Sequence, residues 1–115
     1  MKDHKEANRF DLSLQEEIIL TLLVGKELYG LELMKAVEEA SEGRLRMKFG
    51  SLYPLLHRLE KKGFVTSRWG EDTPEERGGA RRRYYMTTGL GERALREAQC
   101  FRANLATWQP AWGRS

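Results

Sequence analysis

Ser51, Tyr53, Pro54, His57, Arg58 and Lys61 gather on one side of a short amphipathic stretch, F-G-S-L-Y-P-L-L-H-R-L-E-K-K-G-F-V-T-S-R-W, residues 49–69. Hydroxyl, imidazole, guanidinium and ammonium groups at helical spacing suit recognition of base edges and phosphates rather than bond making. Arg58 can fork onto guanine, and His57 or Ser51 can donate or accept at a base edge or phosphate. Lys61 and Lys62, at the far end of the stretch, suit phosphates, which fix register without reading sequence. Tyr53 has two readings, a nucleic-acid contact or a packed ring whose hydroxyl caps a neighbour. Arg81, Arg82 and Arg83 form a second cationic group. In a strand, alternation sends Arg82 to the face opposite Arg81 and Arg83, so the three make inequivalent contacts, two of them with phosphates or the minor groove.

Other chemistries are poorly served. His4, His57 and the single cysteine, Cys100, have no metal-ligand spacing, and no nucleophile has an orienting pair. Gly78-Gly79 reads as hairpin-turn geometry rather than a phosphate cradle between strand and helix. Glu38 and Glu39 would point about 100° apart on a helix, which makes them a solvated face rather than an acid–base pair. Neither enzymatic activity nor a cofactor is expected. Cys100 is expected to be a small buried thiol beside a helical seam.

Charge is distributed unevenly. Residues 1–41 hold five Lys/Arg against nine Asp/Glu, whereas 44–68 hold seven against Glu60 alone. Basic residues concentrated on one part of a small domain are the footprint of a phosphate-binding surface, although a solvated basic face would look similar. Glu71, Asp72, Glu75 and Glu76 oppose this reading, because acid near a phosphate backbone is repelled. That acidic turn must swing away, be neutralised by Arg77, or serve another interaction.

The elements that must position these groups can be read from periodicity. Ser13 and Glu16 have capping-box spacing, and Leu14, Ile18, Ile19, Leu22 and Leu23 follow as a stripe, predicting a helix over 14–24 stopped by Gly25. A second helix starts near Gly30, turns Leu33, Val37 and Ala40 inward, and ends by Gly43. The third spans 51–62, with Ser51 as N-cap, Pro54 in its first turn, and Leu52, Leu55, Leu56 and Leu59 facing the core. Gly63 ends it. Phe64–Trp69 and Arg81–Thr87 are β-prone runs around a polar, turn-rich segment, which predicts an antiparallel hairpin. The fold class is therefore mainly α with a small β-hairpin, a winged helix-turn-helix. In such an arrangement helix 51–62 lies in the major groove of double-stranded DNA and the 64–87 wing on the backbone or minor groove.

The last element has a different period. Ala94, Ala98, Phe101, Leu105 and Trp108 recur at spacings of four, three, four and three, and Leu90 extends them backwards by another four, the seam of a coiled coil ended by Pro110. With no second long helix in the chain, the seam predicts a homodimer through a C-terminal dimerisation helix. A stripe folded onto its own domain is the alternative. The 115 residues divide into an N-terminal arm (1–12), a DNA-binding domain (13–87) and the dimerisation helix with a short tail (88–115). No apolar run approaches the roughly 20 residues a membrane span needs, and the N-terminus lacks the apolar segment of a secretory signal. No membrane partner and a cytoplasmic location are expected, and a lone cysteine fits a reducing compartment.

Three blocks, L-Y-G-L-E-L (28–33), G-S-L-Y-P-L-L-H-R-L-E-K-K-G-F-V (50–65) and R-R-R-Y-Y-M-T (81–87), resemble the signature of the PadR family of bacterial transcriptional regulators, in order and spacing. The resemblance covers about residues 14–100. It implies a winged-helix homodimer on a two-fold operator, with Ser51, Tyr53, Pro54, His57 and Arg58 on the recognition helix and Arg81–Arg83 on the wing. Only 27 residues follow Thr88, enough for one helix, so the chain looks like the short subgroup. Nothing in its residues assigns it to the short members that repress clock genes in cyanobacteria. In some short members an aromatic near the dimer axis stacks on flat ligands, which implies a similar part for Trp108 or Trp112. The leading expectation is thus a sequence-specific DNA-binding repressor. The alternatives are a switch that binds a small aromatic effector at the dimer interface, and a winged-helix protein-interaction module without DNA binding.

Overall fold

The chain enters its first helix at Ser13, where the predicted capping box forms. Its N–H donates to Glu16 Oε1 at 2.9 Å and its hydroxyl accepts from the Glu16 N–H at 3.1 Å. A computed structural model describes residues 11–71 and 81–113. Their elements are α1 (Leu14–Leu23), β1 (Leu28–Tyr29), α2 (Gly30–Ala40), α3 (Phe49–Lys61), β2 (Val65–Trp69), β3 (Arg83–Thr87) and α4 (Gly89–Thr107). The expectations for residues 1–10, including His4, and for Asp72, Glu75, Glu76, Arg77, Gly78 and Gly79 lie outside the described residues. No helix among those described is long and apolar enough to cross a membrane.

The leucine stripe of α3 forms the centre of the core. Leu52, Leu55, Leu56 and Leu59 are all buried, together with Ile19, Leu20 and Leu23 of α1 and Leu33 and Val37 of α2. Two expectations about this helix need correction. It begins at Phe49 with Lys48 as N-cap, and the Ser51 and Leu52 amides both donate to the Lys48 carbonyl at 2.9 Å, so Ser51 lies inside the first turn. Pro54 is consequently in the second turn. The carbonyl its missing N–H would have served belongs to Gly50, an exposed residue that water can reach.

α1 is also rotated from its expected setting. Leu14 is 72% exposed, while Glu16, Ile19, Leu20 and Leu23 make the inward face. The helix turns this way because each of its two consecutive glutamates meets a cation from another element, as described below. Leu14, Ile18 and Leu22 line instead an open groove of about 280 Å³ with Val37 and Leu45. Ala40, expected to face inward, is exposed at the end of α2.

The hairpin pairs as expected, with Val65 opposite Thr87 and Trp69 opposite Arg83. A third strand joins it, because Leu28 and Tyr29 pair with Tyr85 and Tyr84, giving the order β1-β3-β2. Two residues are too few to display an alternating pattern in sequence, so only the pairing reveals this strand. Beyond the sheet, Thr88 caps α4, accepting from the Gly91 N–H at 3.0 Å while its own hydroxyl donates to the Gly63 carbonyl at 2.6 Å. Gly91 then packs on the chain entering β2 so closely that a Cβ there would fall 2.1 Å from the Phe64 carbonyl oxygen. α4 is thus fixed at its start against α1 and the sheet.

Candidate nucleic-acid interface

Burying the four leucines of α3 leaves its other side to solvent. Ser51, Tyr53, Pro54, His57, Arg58 and Lys61 are exposed there, and Lys62 is half-buried. The face is braced from two directions. From the wing, Arg83 Nε donates to Ser67 Oγ at 2.9 Å, and the Ser67 hydroxyl donates to Glu60 Oε2 at 2.6 Å. Arg83 Nη2 also lies 3.7 Å from that carboxylate oxygen. From the core, Glu16 of α1 reaches the other side of the helix. Its Oε2 accepts from Arg58 Nε at 3.2 Å and from Lys62 Nζ at 3.0 Å.

Glu16 is only 3% exposed. Burial raises its carboxyl, but the Ser13 amide, Lys62 and Arg58 outweigh that cost and hold it below the ordinary glutamate value. Arg58 and Lys62 therefore belong to an ion cluster as well as to the outer face. No spacing rule pairs residues 42 and 46 positions apart, and sequence reasoning missed Glu16 except as a cap.

The three wing arginines divide as alternation requires. The guanidinium carbons of Arg81 and Arg83 lie 5.0 and 5.1 Å from the centroid of the Trp69 ring, while that of Arg82 lies 4.5 Å from the Tyr29 ring. Trp69 is itself nearly half-exposed, so aromatic surface and positive charge share this edge of the wing. On the neighbouring strand Arg68 forms a bidentate pair with Glu27 at 2.9 and 2.8 Å, which lowers the carboxyl of that glutamate. Glu71, the one residue of the predicted acidic turn among those described, is exposed.

A cleft of about 290 Å³ joins wing to helix, lined by Tyr29, Phe49, Tyr53 and the three arginines. Tyr53 shows the packed alternative in part. Its ring stacks on Phe49 with centroids 5.6 Å apart, and a Cβ on Gly30 would lie 2.1 Å from its hydroxyl oxygen. Only glycine at position 30 lets that hydroxyl approach the start of α2. Tyr29 and Phe49 were not singled out in the sequence, where they read as ordinary aromatics beside helix starts.

The seam residues separate into two groups. Ala94 and Ala98 are buried within the protomer, alongside Leu95. Leu90 and Phe101 are about half-exposed, and Leu105 is 61% exposed. Trp108 lies beyond the helix, in an extended conformation after Thr107, and its ring is 5.6 Å from that of Trp112. Arg102 anchors the middle of α4 by pairing through its two terminal guanidinium nitrogens with Glu17 of α1, Nη1 at 2.6 Å. Cys100 corrects an expectation, since it is exposed. It stands two residues, about 200°, from buried Ala98.

Residues 19–97 match the model of the PadR-like family of transcriptional regulators. An uncharacterised protein of Lysinibacillus sphaericus is 32% identical over 82 residues, covering 71% of this chain and 72% of its own. Among solved structures, a transcriptional regulator from Clostridium thermocellum is 32% identical with a TM-score of 0.66, covering 79% of this chain and 83% of its own. A PadR-like transcription factor from Bacteroides fragilis is 29% identical with a TM-score of 0.71, over 92% and 93% of the two chains. A PadR family regulator from Eggerthella lenta is 27% identical with a TM-score of 0.67, over 90% and 80%.

Proposed function

Because the chain belongs to the PadR-like family of transcriptional regulators, we propose that it acts as a homodimeric repressor reading a two-fold DNA operator. The observation that carries this reading is the outer face of α3, where Ser51, Pro54, His57, Arg58 and Lys61 stand exposed on a helix whose other side is wholly buried. In the complex the first turns of α3 meet base edges, Lys61 meets phosphates, and Arg81 and Arg82 extend the contact to the backbone or minor groove. The 13–87 region supplies this surface, and α4 with its tail, 88–115, supplies the second copy's contacts through Leu90, Phe101, Leu105 and Trp108. Two such copies would place their helices in successive major grooves about 34 Å apart.

A salt-dependent mobility-shift assay on random and selected duplexes tests the reading. Arg58→Ala is expected to cost roughly 1–3 kcal/mol and relax sequence preference, and Arg81→Ala to weaken all duplexes alike and flatten the salt slope by about one. Arg81 is chosen over Arg83 because Arg83 also braces the wing on Ser67. Failure to bind any duplex at low salt overturns the proposal in favour of a protein-interaction module. The exposed Trp108–Trp112 pair favours a second element, a flat aromatic effector held between protomers. Release of a bound operator by an aromatic dye, lost in Trp108→Ala, would establish it.

A further inference from the structure

Glu16 presents an apparent contradiction: a negative charge placed directly behind a helix meant to meet the most negatively charged polymer in the cell. We propose that Glu16 is a positioning residue that sets DNA specificity, holding Arg58 in one orientation and withdrawing Lys62 from the phosphates. This inference rests on the DNA-binding reading above. The carboxylate is itself fixed, since one oxygen is bound by the Ser13 amide in the capping box and the other takes both cations. Arg58, in the last turn of α3, and Lys62, the residue that caps it, share that single oxygen, Oε2.

Two consequences follow from the chemistry of the partners. An arginine is long and flexible, and fixing it at Nε leaves the Nη1/Nη2 fork as the group available for a bidentate contact. Pre-orienting that fork removes conformational freedom before binding and favours one base geometry over others. Lys62 has a point charge with no such directional demand, and its side chain is only 30% exposed where Arg58 is 52% exposed. Sequence-independent affinity grows with the number of phosphates neutralised. A carboxylate that occupies Lys62 therefore lowers binding to all DNA while leaving the directional contact intact. Glu16 sacrifices indiscriminate affinity for discrimination.

The test measures fluorescence anisotropy of the full chain on a duplex selected from a random pool and on a scrambled duplex, across a salt series. Glu16→Gln keeps an acceptor for the Ser13 amide and removes the charge. It is expected to bind the scrambled duplex more tightly, steepen the salt slope by about one, and lower the selected-to-scrambled ratio on the order of tenfold. In an Arg58→Ala background the same change should leave the ratio unmoved, an outcome a merely structural role would not produce. Lys62→Met, on a partly exposed side chain, is expected to keep the wild-type salt slope. A ratio unchanged by Glu16→Gln, or a slope flattened by about one in Lys62→Met, overturns the inference. If Glu16→Gln unfolds by circular dichroism, Lys62→Met alone decides. Wild-type protein that binds neither duplex at low salt overturns the DNA reading itself, and this inference with it.

Discussion

Helices α3 and α4 carry equally clear apolar stripes and use them differently. Every leucine of the α3 stripe is buried inside the protomer. The α4 stripe is buried only at Ala94 and Ala98; beyond them Phe101 and Leu105 are half-exposed or more, and Trp108 is exposed just past the end of the helix. The difference teaches that periodicity reports a face and not its partner. α3 lies between α2 and the sheet and finds its cover locally, whereas α4 runs past the edge of the domain it packs against.

Changes in the two helices should separate accordingly. The largest effect belongs to the satisfied stripe: Leu56→Ala removes a fully buried side chain and should cost about 3 kcal/mol, lowering the thermal midpoint by roughly 10 °C or more. A loss below 1 kcal/mol would show that α3 is less tightly packed than its burial indicates. Next comes the joint between the two regions. Gly91→Ala drives a methyl group into the Phe64 carbonyl and should cost roughly 1–3 kcal/mol by chemical denaturation. Leu105→Glu probes the open end of α4. Light scattering should report a monomer, while at concentrations where the wild type is also dissociated the two unfold within about 0.5 kcal/mol of each other. An unchanged dimer would place the interface elsewhere.

The two carboxylates of α1 give a finer contrast, because Glu16 braces α3 and Glu17 braces α4. The Glu16 carboxyl is depressed in the folded state, so its contribution is complete above the ordinary glutamate value of the unfolded chain and is lost as pH falls through the lower folded value. Urea titrations from pH 7 to 3 should show the wild type losing stability over that acid window more steeply than Glu16→Gln. Parallel curves would mean that the ion cluster contributes nothing. The smallest effect is expected of Arg102→Ala, a slight loss that shrinks with salt, since that arginine is more than half exposed. Faster amide exchange confined to α4 would mark it.

Much of this was legible in the residues. The capping box, the four leucines, the hairpin, the outward cations of α3 and the inequivalence of the three wing arginines all follow from local periodicity and alternation. The earlier start of α3 is a local matter, set by the Lys48 carbonyl that takes the Ser51 and Leu52 amides. The exposure of Leu14 and the strand at Leu28–Tyr29 depend on which neighbour lies opposite, and a neighbour far away in sequence leaves no local trace.

The sequence by itself determined the four helices, the hairpin, the inner face of α3 and the concentration of positive charge in the 44–68 stretch, because these depend on residues within one or two turns of each other. Only the tertiary structure decided what stands behind that charge. Glu16, Ser67 and Glu60 meet Arg58, Lys62 and Arg83 through contacts that folding creates across the domain. A buried carboxylate is stable only where such partners converge on it. That convergence made Glu16, read in the sequence as a helix cap, into the group that holds the face of α3.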